Sequence, residues 1–333
     1  MSTHRIITGD CITGMKTLPD GCVHTCITSP PYFGLRNYNG GTEEIGCEQS
    51  PEDFVVKMVD VFREVKRILR DDGTLWLNLG DSYASNGCYI NSWLEKDHNK
   101  DKKHLHTKNH DRYEDRKAFR GGEYNIKAKD LIGIPWRVAF ALQADGWYLR
   151  QDIIWSKPNP MPESVTDRCT KAHEYIFMLT KQPRYYYDHE AIKEKSVTNV
   201  KRKTLPTDEY KAGFTPDEVT GKKTNRGGKS LAYAYPNGLP FRNKRSVWTV
   251  TTKPFRGAHF AVYPEDLILP CVLAGCPKDG TVFDPFTGSG TTAVVALKNG
   301  RNYIGTELNP EYVQIAEDRI AENVPATLEG VME

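Results

Sequence analysis

The sequence predicts an α/β protein built on a doubly wound, mostly parallel sheet, and three observations carry that expectation. Short apolar runs alternate with helical patterns along most of the chain, the pattern of a parallel sheet covered on both faces. The stretch "TVFDPFTGSGTTAVVALKNG" reads as strand, glycine-rich loop and helix, the Rossmann-like arrangement in which a cofactor meets the carboxyl ends of strands. The 333 residues are 38% hydrophobic and 26% charged, a balance that suits a globular core of this size.

The elements follow in order. "RIITGD" and "VHTCIT" read as strands around the turn "LPDG", and the second runs into "SPPY". Residues 51 to 70 form the clearest helix. Ser50 is its cap, Pro51 fits the first turn and Asp53 sits at the capping-box position. Phe54, Val55, Met58, Val59, Phe62, Val65 and Leu69 make its apolar face. Lys66, Arg67 and Arg70 suit its carboxyl end, and Gly73 is the expected stop. "TLWLNLG" is then a buried strand. Residues 85 to 128, with His98, His104, His106 and His110 among many charges, read as an exposed insertion. The histidines lack ligand spacing, so no metal is expected.

A helix is expected over residues 130 to 144, stopped by Gly146, followed by strands at "WYLRQDIIWSK", "HEYIFMLTK" and "RYYYD". "VWTV" is a further strand, and a helix near 264 to 275 takes Pro264 in its first turn. The glycine-rich unit comes next, then the strand "RNYIGTE" and a last helix "PEYVQIAEDRIAEN".

Composition narrows the function classes. No apolar run approaches a membrane span and "MSTHRIITGD" has no signal-peptide core, so a cytoplasmic protein is expected. The eight cysteines include no C-x-x-C pair and read as reduced thiols. Net charge is only +2, yet residues 190 to 245 hold 13 Lys and Arg against 6 Asp and Glu. Such a segment suits either a polyanion surface or a solvated loop.

Two motifs carry the chemistry. In "DPFTGSGTT", Gly288 and Gly290 allow close approach of backbone to ligand, and the helix opening near Thr291 points free N–H groups into the same crevice. Glu307 ends the following strand 23 residues after Asp284, the spacing at which an acid holds ribose hydroxyls. There is no Lys after Gly290, as a nucleotide P-loop needs, so the loop alone indicates an adenosine-containing cofactor without choosing one. In "CITSPPYFG", two prolines end a strand in a stiff segment with unpaired carbonyls.

Together, "TSPPY" and the later "DPFTGSGTT" resemble the DNA amino-methyltransferases, which methylate cytosine N4 or adenine N6 with S-adenosylmethionine. The order of the motifs, with the basic segment between them, resembles the β-group arrangement. "GDCITGMKTLPDG", "IIWSKPNPMPES", "HEYIFMLTK" and "HFAVYPEDL" also look like family segments. The resemblance implies a methyltransferase domain in two halves, residues 1–189 and 246–333, around a loop-rich target-recognition region at 190–245. It places Ser29, Pro30, Pro31 and Tyr32 in the catalytic motif. The methionine end of the cofactor falls near Asp284, Phe286, Gly288, Gly290 and Thr291, its ribose on Glu307 and its adenine near Asp10. Phe260 and Pro264 are further candidates for that pocket. Lys201, Arg202, Lys203, Lys222, Lys223, Arg226 and Lys229 are the expected contacts to duplex DNA.

The chemistry accounts for the prolines. An exocyclic amino group is a weak nucleophile, and the donor is a cationic sulfonium that needs no covalent enzyme intermediate, so positioning and electrostatics do the work. The Pro30 carbonyl and Ser29 hydroxyl would accept from the amino group while Tyr32 stacks on the flipped base. Ser in the motif's first position is the usual label for cytosine N4, though either base remains open. A cytosine-C5 enzyme would need a Pro-Cys nucleophile, and Pro270-Cys271 lies within a helical pattern that reads as core. Methylation of RNA or of a protein amide, and a non-catalytic DNA-binding protein on the same fold, are the alternatives. The resemblance also makes a homodimer plausible, with the insertion as a candidate contact, and raises the question of a cognate restriction enzyme.

Overall fold

The computed structural model describes residues 2–34, 45–48, 50–84, 126–196, 241–253 and 262–324. The chain divides into two compact units, Met1–Asp188 with Arg245–Glu333, and His189–Lys244. In the smaller unit the described residues include a two-stranded antiparallel pair, β6 (Glu194–Lys195) with β7 (Phe241–Arg242).

The larger unit is organised on one eight-stranded sheet. Its elements are β1 (His4–Thr8), α1 (Cys11–Lys16), β2 (Val23–Thr28), α2 (Pro51–Ile68), β3 (Leu69–Leu79), α3 (Ile134–Ala144), β4 (Tyr148–Ser156), β5 (His173–Thr180), β8 (Val247–Thr249), α4 (Glu265–Gly275), β9 (Thr281–Asp284), α5 (Thr291–Lys298), β10 (Asn302–Glu307) and α6 (Pro310–Asn323). The strand order is β1-β10-β9-β2-β3-β5-β4-β8. Every neighbouring pair is parallel except β3 with β5 and β5 with β4, so β5 alone runs against both of its neighbours.

Period-two alternation buries both faces of this sheet. Cys26, Leu75, Leu77, Leu79, Phe177, Leu179 and Phe283 join the core beneath α1, α2 and α3. Ile27, Trp76, Met178, Val282 and Tyr303 alternate with them and are buried outside that cluster. Trp76 meets α4 there: a Cβ on Gly275 would stand 2.6 Å from its Nε1.

Local chemistry sets the ends of the helices. Ser50 accepts from Asp53 N at 3.0 Å and its own hydroxyl reaches Asp53 Oδ2 at 2.7 Å, a reciprocal cap for α2. Phe54, Met58, Val61, Phe62, Val65 and Ile68 form its buried face. The helix stops at Ile68, and Gly73 lies within β3 rather than ending α2. Pairing of Leu69 with Val23 takes the chain into the sheet earlier than the periodicity predicts, and Arg70 goes with it. Arg67 stays in the last turn, where it donates to Leu18 O and Met15 O at 2.9 and 2.7 Å.

Other expectations need correction. The six-residue α1 lies between the first two strands, too short to announce itself by period and held by the Asp10 cap. α3 begins at Ile134, after Gly133, because Asp81 Oδ1 accepts from the N–H groups of Gly133 and Ile134 at 3.0 and 3.1 Å. Pro264 is the N-cap of α4, not a residue of its first turn. "RYYYD" is not a strand; it is pinned by Tyr186 N to Asp72 O and Asp188 N to Ala274 O at 2.8 and 2.9 Å. Ile126, within the expected exposed insertion, is buried in the core, whereas residues 85–125 lie outside the described residues.

Candidate active site

Ser29, Pro30, Pro31 and Tyr32 carry the chain off the carboxyl end of β2. β3 ends beside it at Leu79, and because β5 is antiparallel its beginning reaches the same rim, with Tyr175 opposite Leu79. Three side chains from three strands thus converge. The Tyr32 hydroxyl donates to Glu174 Oε2 at 2.8 Å and lies 3.3 Å from Asn78 Oδ1. The Ser29 hydroxyl points to the same phenol oxygen at 3.5 Å. Asn78 Nδ2 donates to Tyr175 O at 3.0 Å, which keeps its carbonyl turned to Tyr32. Lys157, from the end of β4, is ion-paired with Glu174 and stands 4.2 Å over the Trp155 ring. Gly80 permits this packing: a Cβ there would come within 2.5 Å of Tyr32 Cε2.

The second half of the site forms at β9. Asp284 ends that strand, and Gly288 (φ 51°) and Gly290 (φ 77°) turn the loop into α5 through left-handed backbone. Asp284 is buried, and both of its oxygens are engaged. Oδ1 accepts from Thr28 at 2.6 Å and Phe286 N at 3.0 Å; Oδ2 accepts from Thr292 at 2.6 Å and Tyr263 at 3.3 Å. Burial pushes its pKa up to about 6 against the pull of these donors. The Thr28 bond ties the strand end that precedes Ser29 directly to the start of the glycine-rich loop.

Glu307 closes the far side of that loop. Its Oε2 accepts from Gly288 N at 2.8 Å and its Oε1 from Asn309 N at 3.0 Å, and burial raises its pKa. Asp10 approaches from β1, where Gly9 N donates to Glu307 O at 2.8 Å. One Asp10 oxygen caps α1 through Thr13 N at 2.8 Å. Phe286 is partly buried against the main core. The Thr291 hydroxyl accepts from Arg319 at 2.7 Å, leaving its part in any ligand contact to the helix N-terminus.

The expected site residues therefore gather along one rim of the sheet, with Ser29–Tyr32 on β2 and the loop residues on the adjacent β9. Sequence reasoning missed Thr28, Asn78, Gly80, Lys157, Glu174, Tyr263 and Thr292. Asn78 and Glu174 left a signal, a polar group inside or heading an otherwise apolar strand. Phe260 and the seven candidate DNA contacts, Lys201 to Lys229, lie outside the described residues, as do the four histidines of the insertion. Cys271 is 1% exposed inside α4, a core thiol. Among the described residues no group of three or more His, Cys, Asp or Glu is placed to hold a metal ion, and no helix is long and apolar enough to cross a membrane.

A doubly wound sheet with a glycine-rich loop on one central strand and an amino-group acceptor motif on the next defines a methyltransferase domain. The profile of the family described as DNA methylase matches residues 23–318. The chain is 45% identical over 312 residues to Type II methyltransferase M.Cfr9I of Citrobacter freundii, covering 94% of this chain and 86% of that protein. It is 44% identical over 323 residues to Type II methyltransferase M.SmaI of Serratia marcescens, covering 95% and 90%. In structure it resembles a DNA modification methylase of Thermus thermophilus, TTHA0409, solved complexed with S-adenosyl-L-methionine (TM-score 0.57, 21% identity, 99% and 100% covered). It also resembles the PvuII DNA methyltransferase, described as cytosine-N4-specific (TM-score 0.57, 16% identity, 100% and 89% covered). These two likenesses concern the fold. The chain belongs to the N6/N4 DNA methylase family, and the expected class, a DNA amino-methyltransferase using S-adenosylmethionine, holds.

Proposed function

We propose that this enzyme methylates the N4 amino group of a cytosine flipped out of a specific duplex DNA sequence. The observation that carries the reading is Ser29. The first position of the motif holds a neutral hydroxyl, with Tyr32 and Asn78 gathered around it, where adenine enzymes of the family usually hold Asp or Asn. The likeness in fold to a cytosine-N4-specific enzyme supports it.

Bound S-adenosylmethionine supplies an electrophilic methyl group on a cationic sulfonium. Gly288, Gly290 and the N-terminus of α5 suit its methionine end, with Phe286 beside it. The outward lone pairs of Glu307 suit the ribose hydroxyls, and Asp10 suits the adenine. Asp284, mostly ionised at pH 7, lends negative potential near the sulfonium. On the acceptor side, the Pro30 carbonyl and Ser29 hydroxyl take the two amino N–H bonds, which turns the nitrogen lone pair toward the methyl group. Pro31 stiffens that segment and Tyr32 stacks on the base. The lone pair forms the N–C bond as the C–S electrons return to sulfur, and one amino proton leaves for solvent. No enzyme nucleophile takes part, so Cys271→Ser retains full activity.

The test is nucleoside mass spectrometry of duplex DNA incubated with protein and methyl donor. N4-methylcytosine is expected, and N6-methyladenine would overturn the choice of base. In the same assay Tyr32→Ala or Pro30→Ala should slow transfer about 100-fold. The Type II names of the relatives support a cognate restriction enzyme as partner. A homodimer and a cytoplasmic location complete the proposal; light scattering of the full chain tests the former.

A further inference from the structure

Glu174 is a carboxylate near the start of a strand that is otherwise mostly apolar, and its side chain is only 15% exposed. Such a charge is costly to bury unless its oxygens are paired. One oxygen meets Lys157, and the other receives the Tyr32 hydroxyl at 2.8 Å with Asn78 Nδ2 3.4 Å away. The carboxylate therefore connects β4, β5, β3 and the catalytic motif at one point.

Proton counting gives this cluster a direction. A phenol has one proton, and both groups beyond Tyr32, Glu174 Oε2 and Asn78 Oδ1, are acceptors. The Tyr32 proton is thus committed to that side, and toward Ser29 the phenol oxygen can only accept. The Ser29 proton turns to it across 3.5 Å, long for such a bond and the weakest link of the chain. A free serine hydroxyl donates as readily as it accepts. Here its proton is directed away, and its lone pairs are left for an incoming N–H.

We propose that Glu174, held by Lys157, is a positioning residue that orders the hydrogen bonds Ser29 to Tyr32 to Glu174, so that Ser29 presents an acceptor to the target amino group. The role rests on the reading of Ser29–Tyr32 as the amino-group site. It adds two residues, from the ends of β4 and β5, that fix both the tilt of the stacking ring and the polarity of the hydroxyl. Lys157 acts by keeping Glu174 ionised, since a protonated carboxyl would itself donate and reverse the chain.

The experiment is single-turnover methyl transfer to duplex DNA by the full chain, with methyl-donor affinity measured by calorimetry. Glu174→Ala and Tyr32→Phe should each slow transfer about 30-fold, the loss of a hydrogen bond to a charged group, with donor affinity unchanged. The double variant should be no slower than either single one, because both break the same chain. Glu174→Gln, whose amide oxygen still accepts from Tyr32, should recover most of the rate and covers the case of a poorly folded alanine variant. Lys157→Met should move the acid limb of the rate profile up by about one pH unit. Multiplying effects in the double variant, or a Glu174→Ala rate within twofold of wild type, would overturn the proposal. Product analysis of the wild-type enzyme judges the choice of base separately. An adenine product removes the cytosine reading, while the same cycle still measures Glu174 on whichever amino group is methylated.

Discussion

Asp284 shows what a single residue does here and how much of it could be read in advance. The sequence marks it as the acid that opens the glycine-rich loop. Its four donors come from β2, the loop, α5 and the residue before Pro264, so no local pattern could gather them. Removing the carboxylate by Asp284→Ala strands a buried N–H and three hydroxyls and should cost about 3 kcal/mol or more. Asp284→Asn differs: its oxygen can keep the Phe286 N–H while its amide group donates to Thr292 and Tyr263. Because burial raises the aspartate pKa to about 6, the folded state holds this proton more tightly than the unfolded chain. The resulting stabilisation is fully present below the ordinary aspartate range and is lost as pH rises through about 6. The stability of Asp284→Asn relative to wild type should thus increase by up to about 3 kcal/mol between about pH 4 and pH 7. Urea unfolding at both pH values measures it, and a constant difference would mean that Asp284 does not titrate in this window. Gly80→Ala is the companion test at the acceptor side, since its methyl group meets the Tyr32 ring. It should lower the transfer rate at least tenfold with little change in donor affinity.

At the level of elements, legibility followed length and local chemistry. α2 shows a sustained apolar period and a reciprocal Ser50–Asp53 cap, and both are local. Ser50→Ala should therefore cost about 1 kcal/mol of stability in denaturant unfolding while leaving methyl transfer unchanged. The β9–loop–α5–β10 unit was equally plain, because strand, glycines and helix follow one another directly. What could not be read was decided by distant partners. The end of α2 depends on Leu69 pairing with Val23, and the start of α3 depends on Asp81 from the end of β3. The convergence of Glu174 on Tyr32 depends on the reversed direction of β5. That reversal had one visible cue, the absence of a helical pattern between β4 and β5, where a parallel crossover needs one.

For the molecule as a whole, the two motifs announced the class, and the basic segment remains the part whose role rests on sequence. If Lys201, Arg202 and Lys203 each meet a phosphate, replacing all three with Ala should lower the slope of log affinity against log salt by about 3. Fluorescence anisotropy with duplex DNA reads that slope, and methyl-donor affinity should not move. The adjacency of β2 and β9 has a different kind of consequence. Acceptor and donor stations hang from hydrogen-bonded neighbours, bolted together by Thr28 and Asp284, so their separation is graduated by the strand repeat of about 4.8 Å. A backbone ladder makes a stiff ruler: it cannot lengthen a little, only come apart. Warming should leave the geometry of transfer intact until the central sheet itself melts, and chemistry and fold should vanish at one temperature.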